Sequence, residues 1–186
     1  MEHIVGIGAF AVSNGPEDVI KTFALATCVG LVYYSMRKRA MAMAHIQLPI
    51  CRAMSGNDKP SRFADICAEF LLKEMAFKHG VTGRELQISL YGGVESKGGG
   101  DMFMIGEKNL AELRRSLGRL GLIYKEVDVG GHESRTLVAH TSTGIVEVIK
   151  RPMAFHPGGS RAGGAAGVQR TGPQGPAARL GFRRNF

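Results

Sequence analysis

The sequence predicts an α+β fold, a mixed β-sandwich flanked by helices. Three observations carry this prediction. Short apolar runs, several with two-residue alternation, recur along the first 150 residues and read as strands. Two longer stretches, 61–79 and 106–120, repeat their apolar residues at helical spacing. The chain has 186 residues and is 44% hydrophobic, enough for one domain with a real core.

Residues 3–12 read as an opening strand, with Val5, Ile7, Ala9 and Ala11 on one parity. Asn14-Gly15-Pro16 breaks it. The segment 19–26 leads to Cys28, and Thr22 lies on that approach. Residues 29–34 form an apolar run that reads as a buried strand, and 40–46 form a second, after the charged break Arg37-Lys38-Arg39. After Leu48-Pro49, the polar stretch Ser55 to Pro60 reads as a loop; Cys51 precedes it and Cys67 follows, and both read as filler. Residues 61–79 predict a helix whose stripe is Phe63, Ile66, Cys67, Phe70, Leu71 and Met75, with Gly80 as its stop. A strand follows over 86–91, alternating Leu86, Ile88 and Leu90. The loop 96–101 is glycine-rich but lacks the G-x-x-x-x-G-K-[ST] pattern, so no nucleotide site is expected. Residues 106–120 predict the second helix, with Leu110, Leu113, Leu117 and Leu120 on one face. Glu107 and Asn109 read as a solvated helix start. A strand over 122–129 and a closing hairpin over 136–149 complete the domain, 1–153.

From Ala154 onward Gly, Pro, Ala and Arg dominate and periodicity disappears. Such a segment buries too little apolar surface to fold alone, so 154–186 is expected to be disordered. It also explains the net charge of +8: residues 151–186 hold six arginines and no acid, whereas 1–150 hold 18 basic and 16 acidic residues. The tail offers only Phe155, Phe182 and Phe186 as aromatics and no RNA motif, so no nucleic-acid partner is expected. No run approaches the ~20 apolar residues of a membrane span, and no signal peptide is evident. Three cysteines, an odd number, argue against a disulfide framework and suit a cytoplasmic protein. His132 and His140 lack spaced ligand partners, so neither metal nor cofactor is expected.

Cys28 and His45 are the candidates for chemistry. Folding the chain back about Met36 and Arg37 sets position 28 opposite position 45, on one face of a hairpin. Their Cβ atoms would then lie roughly 4.5–5.5 Å apart. A free cysteine titrates near ~8.5, and a neighbouring imidazolium would favour its thiolate. The same spacing also suits a small buried hydrophobe beside a core histidine, and spacing alone leaves both readings open. Thr22 likewise suits a strand with no further role.

Five blocks then resemble one family. Thr22 with Leu25-Ala26-Thr27-Cys28 is similar to the T-L-G-L-G-S-C signature of the CheD chemoreceptor glutamine deamidases. Met41-Ala42-Met43-Ala44-His45 with Leu48-Pro49 resembles their G-G-M-A-H-x-x-L-P segment. Tyr91-Gly92-Gly93, Ile105-Gly106-Glu107-Lys108-Asn109, and Asp128-Val129-Gly130-Gly131 with Arg135 resemble the F-G-G-A, I-G-x-R-N and D-x-G-G-x-x-x-R blocks. The order and spacing match over roughly residues 3–152.

The resemblance implies hydrolysis of glutamine carboxamides on methyl-accepting chemotaxis receptors, with Cys28, His45 and Thr22 as the catalytic residues. It implies a fold similar to the catalytic domain of cytotoxic necrotizing factor toxins. It also implies receptors as partners and a CheC-type phosphatase as another, for a monomer that does not insert into membranes. The competing expectation is an adaptor that binds receptors or the phosphatase without catalysis. Two departures stand out: Ala26-Thr27 replaces Gly-Ser before the cysteine, where a glycine-type backbone would resist alanine, and Met41-Ala42 replaces the paired glycines.

Overall fold

A computed structural model describes residues 1–54, 56–95, 103–153 and 168–171. The glycine-rich loop 96–101 and most of the segment expected to be disordered, 154–167 and 172–186, lie outside the described residues.

Among the described residues, ten strands form two five-stranded sheets. The first contains β1 (Glu2–Val5), β3 (Val19–Leu25), β8 (Glu133–His140), β9 (Val146–Pro152) and β10 (Val168–Thr171), in the order β1-β3-β8-β9-β10. The second contains β2 (Phe10–Ser13), β4 (Val29–Ser35), β5 (Ala40–Ile46), β6 (Leu86–Gly92) and β7 (Lys125–Val129), in the order β2-β5-β4-β6-β7. Each sheet is mixed, because β1 runs parallel to β3 and β6 parallel to β7. The long helices are α1 (Ala64–His79) and α2 (Ile105–Arg119).

Strand parity sorts the core into two layers. Met41 and Met43 of β5, with Val32 and Tyr34 of β4, pack against Ile20, Leu25, Leu137, Ala139 and Val148 of the first sheet. The alternate residues Ala40, Ala42, Ala44, Leu31 and Tyr33 face Ala64, Cys67, Ala68 and Leu71 of α1 and Leu113 and Leu117 of α2. Hence β4 and β5 are buried at every position, one face against a sheet and the other against helices. The molecule is thus three layers deep, helices on sheet on sheet. The α+β sandwich stands, with both helices on one side.

Four expectations change. The opening strand is two strands: Gly6 to Ala9 break the run, Gly8 at φ 73°, and β1 and β2 join different sheets. The hairpin turn spans Met36 to Arg39, closed by Arg39 at φ 47° and by its N–H to the Met36 carbonyl. This pairs Gly30, rather than Cys28, with His45. On α1 the buried stripe is Ala64, Cys67, Ala68, Leu71 and Met75; Phe70 sits at its margin, edge-on to Phe10 with ring centroids 4.8 Å apart. Finally, Val168–Thr171 pairs antiparallel with Val146 to Ile149, so four residues of the tail form an edge strand.

Candidate active site

The site forms where the two sheets meet at the ends of β3, β4 and β5. Cys28 immediately precedes β4, on the parity of Gly30, Val32 and Tyr34, and its half-buried side chain packs on the inter-sheet core. His45 projects into the same layer, on the parity of Met41 and Met43. Cys28 is therefore the diagonal neighbour of His45 across the β4–β5 ladder, two residues before its partner Gly30. Gly30 leaves room there for the methyls of Leu25 and Leu137, which would lie 2.9 Å from an added Cβ and would have to shift to admit one.

Thr22 reaches His45 from the opposite sheet. Its Oγ1 lies 2.7 Å from His45 Nδ1 and donates to the Val5 carbonyl at 2.7 Å. A hydroxyl has one proton, so Thr22 accepts from an Nδ1–H. The imidazole is then the tautomer with a bare Nε2, and that buried atom has no partner among the described residues. Thr22 is fully buried and His45 almost so. The structure brings Thr22 and His45 into contact and places Cys28 beside them.

Burial sets the charges. It pushes the Cys28 thiol up from its ordinary value and holds His45 down at about 4. Both shifts favour the neutral forms, thiol and imidazole, near neutral pH.

The cysteine loop is held by three successive carbonyls. The Ala26 carbonyl accepts from Val94 N–H and that of Cys28 from Gly93 N–H, both at 2.9 Å. The Thr27 carbonyl accepts from Asn109 Nδ2 at 3.0 Å, and the same nitrogen donates to the Gln47 carbonyl at 3.1 Å. Asn109 is fully buried, so it is no solvated helix start. A polar residue directly before the apolar face at Leu110 was the available signal. Glycines make this close approach possible. A Cβ at Gly92 would lie 2.4 Å from the Cys28 carbonyl, and one at Gly106 would lie 2.2 Å from that of Val94. The 92–95 segment is backed in turn by the Gly130-Gly131 turn, through Gly130 N–H to Gly92 and Glu95 N–H to Gly131. Below that turn, buried Arg135 bonds Asp128 at 2.9 Å, and Lys150 meets the same carboxylate at 2.9 Å.

The unusual backbone before the cysteine lies at Ala24, not at Ala26. Ala24 adopts φ 54° within the bulge between Thr22 and Leu25 in the β3–β8 register.

Comparison with known proteins agrees with the family resemblance. The family model described as CheD chemotactic sensory transduction matches residues 48–150. A probable chemoreceptor glutamine deamidase CheD of Syntrophotalea carbinolica is 35% identical over 148 residues, 78% of this chain and 91% of its own. Proteins of the same description from Thermococcus kodakarensis and Geobacillus kaustophilus are 33% and 35% identical, over 81% and 77% of this chain and 93% and 89% of their own. Among solved structures, the hypothetical protein YfiH of Bacillus licheniformis covers 64% of this chain and 49% of its own at 9% identity, with a TM-score of 0.37, too low to bear on the fold. With the family model spanning more than half of its length and full-length relatives above 30% identity, the chain belongs to the CheD family.

Proposed function

We propose that this chain is a protein-glutamine deamidase acting on chemoreceptors, with Cys28 as nucleophile, His45 as general base and acid, and Thr22 as the group that orients His45. The observation that carries the chemistry is the relay from the Val5 carbonyl through Thr22 Oγ1 to His45 Nδ1, which leaves Nε2 free to take a proton. The relatives' descriptions supply the substrate class.

Because the resting pair is neutral, the Cys28 proton passes to His45 Nε2 as sulfur attacks the carboxamide carbon. The C–S bond forms, and the carbonyl π electrons move onto oxygen. The intermediate collapses, the C–N bond breaks, and His45 returns its proton to the departing ammonia. Water, deprotonated by His45, attacks the thioester, and thiol and glutamate result. Thr22 serves where a carboxylate often stands: it fixes the tautomer without adding a charge to a buried site.

A glutamine reaching Cys28 belongs to a receptor's cytoplasmic region, so the reading makes the chain a cytoplasmic protein that docks to receptors. The family resemblance adds a CheC-type phosphatase as a second partner. No helix of the described residues is long and apolar enough to cross a membrane. The test is ammonia release from a purified chemoreceptor cytoplasmic fragment, with mass spectrometry to locate each Gln-to-Glu change. Wild type is expected to release ammonia and Cys28→Ala to release none. Silence from both with receptor binding retained would favour the adaptor.

A further inference from the structure

The peptide between Thr27 and Cys28 is held from one side only. Its carbonyl oxygen accepts from Asn109 Nδ2 at 3.0 Å, and its N–H, that of Cys28, has no partner among the described residues. The Thr27–Cys28 peptide is trans, so this N–H points away from the carbonyl and hence away from α2. The flanking carbonyls of Ala26 and Cys28 are committed to Val94 and Gly93, so the loop is fixed before and after this peptide. Asn109 is fully buried, so its influence on a substrate would pass through the chain it holds.

We infer that Asn109 is a positioning residue: by holding the Thr27 carbonyl it turns the Cys28 N–H outward as a preset donor for the oxyanion formed when Cys28 attacks. The inference rests on the deamidase reading above. Its physical basis is that a donor aimed in advance needs no reorganisation when charge develops on the carbonyl oxygen. Without Asn109 the peptide is free to rotate, and the donor is lost while thiol and imidazole stay where Gly93, Val94 and Thr22 hold them. The second bond, to the Gln47 carbonyl at 3.1 Å, anchors the asparagine itself to the chain following β5.

Alkylation of Cys28 by iodoacetamide needs thiol and base but no oxyanion donor, whereas deamidation needs all three. Asn109→Ser and the isosteric Asn109→Asp are compared with wild type for ammonia release from a receptor fragment, Cys28 alkylation across pH, and thermal unfolding. At temperatures where the variants are folded, kcat is expected to fall on the order of 10²-fold, the size of one lost oxyanion donor. KM is expected to stay within about threefold and the alkylation profile within about twofold, since neither rests on that donor. Parallel loss of alkylation and kcat would overturn the inference, because Asn109 would then merely hold the loop together. Retained kcat in both folded variants would overturn it as well. Absence of ammonia release from wild type would instead overturn the deamidase reading, and this inference with it.

Discussion

At residue scale, the proposed role of His45 predicts that activity depends on pH, and its burial predicts that stability does too. Its folded value is about 4, against 6.5 for an ordinary histidine. As pH falls below 6.5 the unfolded chain takes up a proton that the folded site refuses. The His45 contribution to stability therefore declines between 6.5 and 4, by about 3 kcal/mol in all, and changes no further beneath that window. Urea titrations across that range should show the decline, and His45→Gln should flatten it. Asp18, paired with the N-terminal ammonium, Ser13 and His3, has its carboxyl lowered, so its contribution is lost only in more acidic solution. In kinetics, the acid limb of kcat/KM should lie near 4, with no rise across neutrality from a thiolate forming. Replacing Thr22 by Val strands Nδ1 and the Val5 carbonyl in a buried site, at about 1–3 kcal/mol. The tautomer is then unfixed, and kcat should drop on the order of 10²-fold, while Thr22→Ser should restore most of it. Ala24 offers the opposite kind of change. Its left-handed conformation costs a non-glycine residue about 1 kcal/mol or more, so Ala24→Gly should raise the melting temperature. An unchanged or lower melting temperature would mean that the bulge carries no strain. The family signature has glycine at this position as well as at 26, and sequence alone did not tell which of the two the backbone needs.

At the scale of elements, most strands and both helices were legible because their apolar periods are strong. Register was not. A two-residue hairpin turn was expected, but Arg39 in a left-handed conformation makes the turn four residues long and shifts every pair by two. Cys28 and His45 stay on one face because an even shift preserves parity. The opening run failed differently. Period-2 alternation continues through Gly6 and Gly8, yet hydrogen bonding to two separate sheets, a long-range matter, divides it. The partners of Asn109 were illegible for the same reason: Thr27 and Gln47 lie 82 and 62 residues away. The glycine-lined contact between β6 and the cysteine loop yields a further test. Gly92→Ala would place a methyl 2.4 Å from the Cys28 carbonyl at a backbone φ of 89°. Unfolding measurements should show a loss of about 1–3 kcal/mol, and deamidation should fall with it. Gly121, with open space at its Cβ position, is the matching control in which Ala meets only the cost of its φ of 63°.

For the whole molecule, β10 closes one edge of the first sheet by pairing with β9. An uncovered edge presents a row of free N–H and C=O groups to other chains. Removing residues 154–186 should thus promote self-association that rises with concentration, read by light scattering beside the intact chain. A truncated protein that stays monomeric at every concentration would show that β9 is protected by other means. Thr22 stands in one sheet and His45 in the other, joined by 2.7 Å. That bond works as a feeler gauge between the two layers. A slip of one ångström along their interface exceeds the tolerance of a hydrogen bond, and the imidazole would lose its setting while every strand remained intact. Any protein that pries or clamps these layers would thereby throttle or sustain turnover without approaching the sulfur.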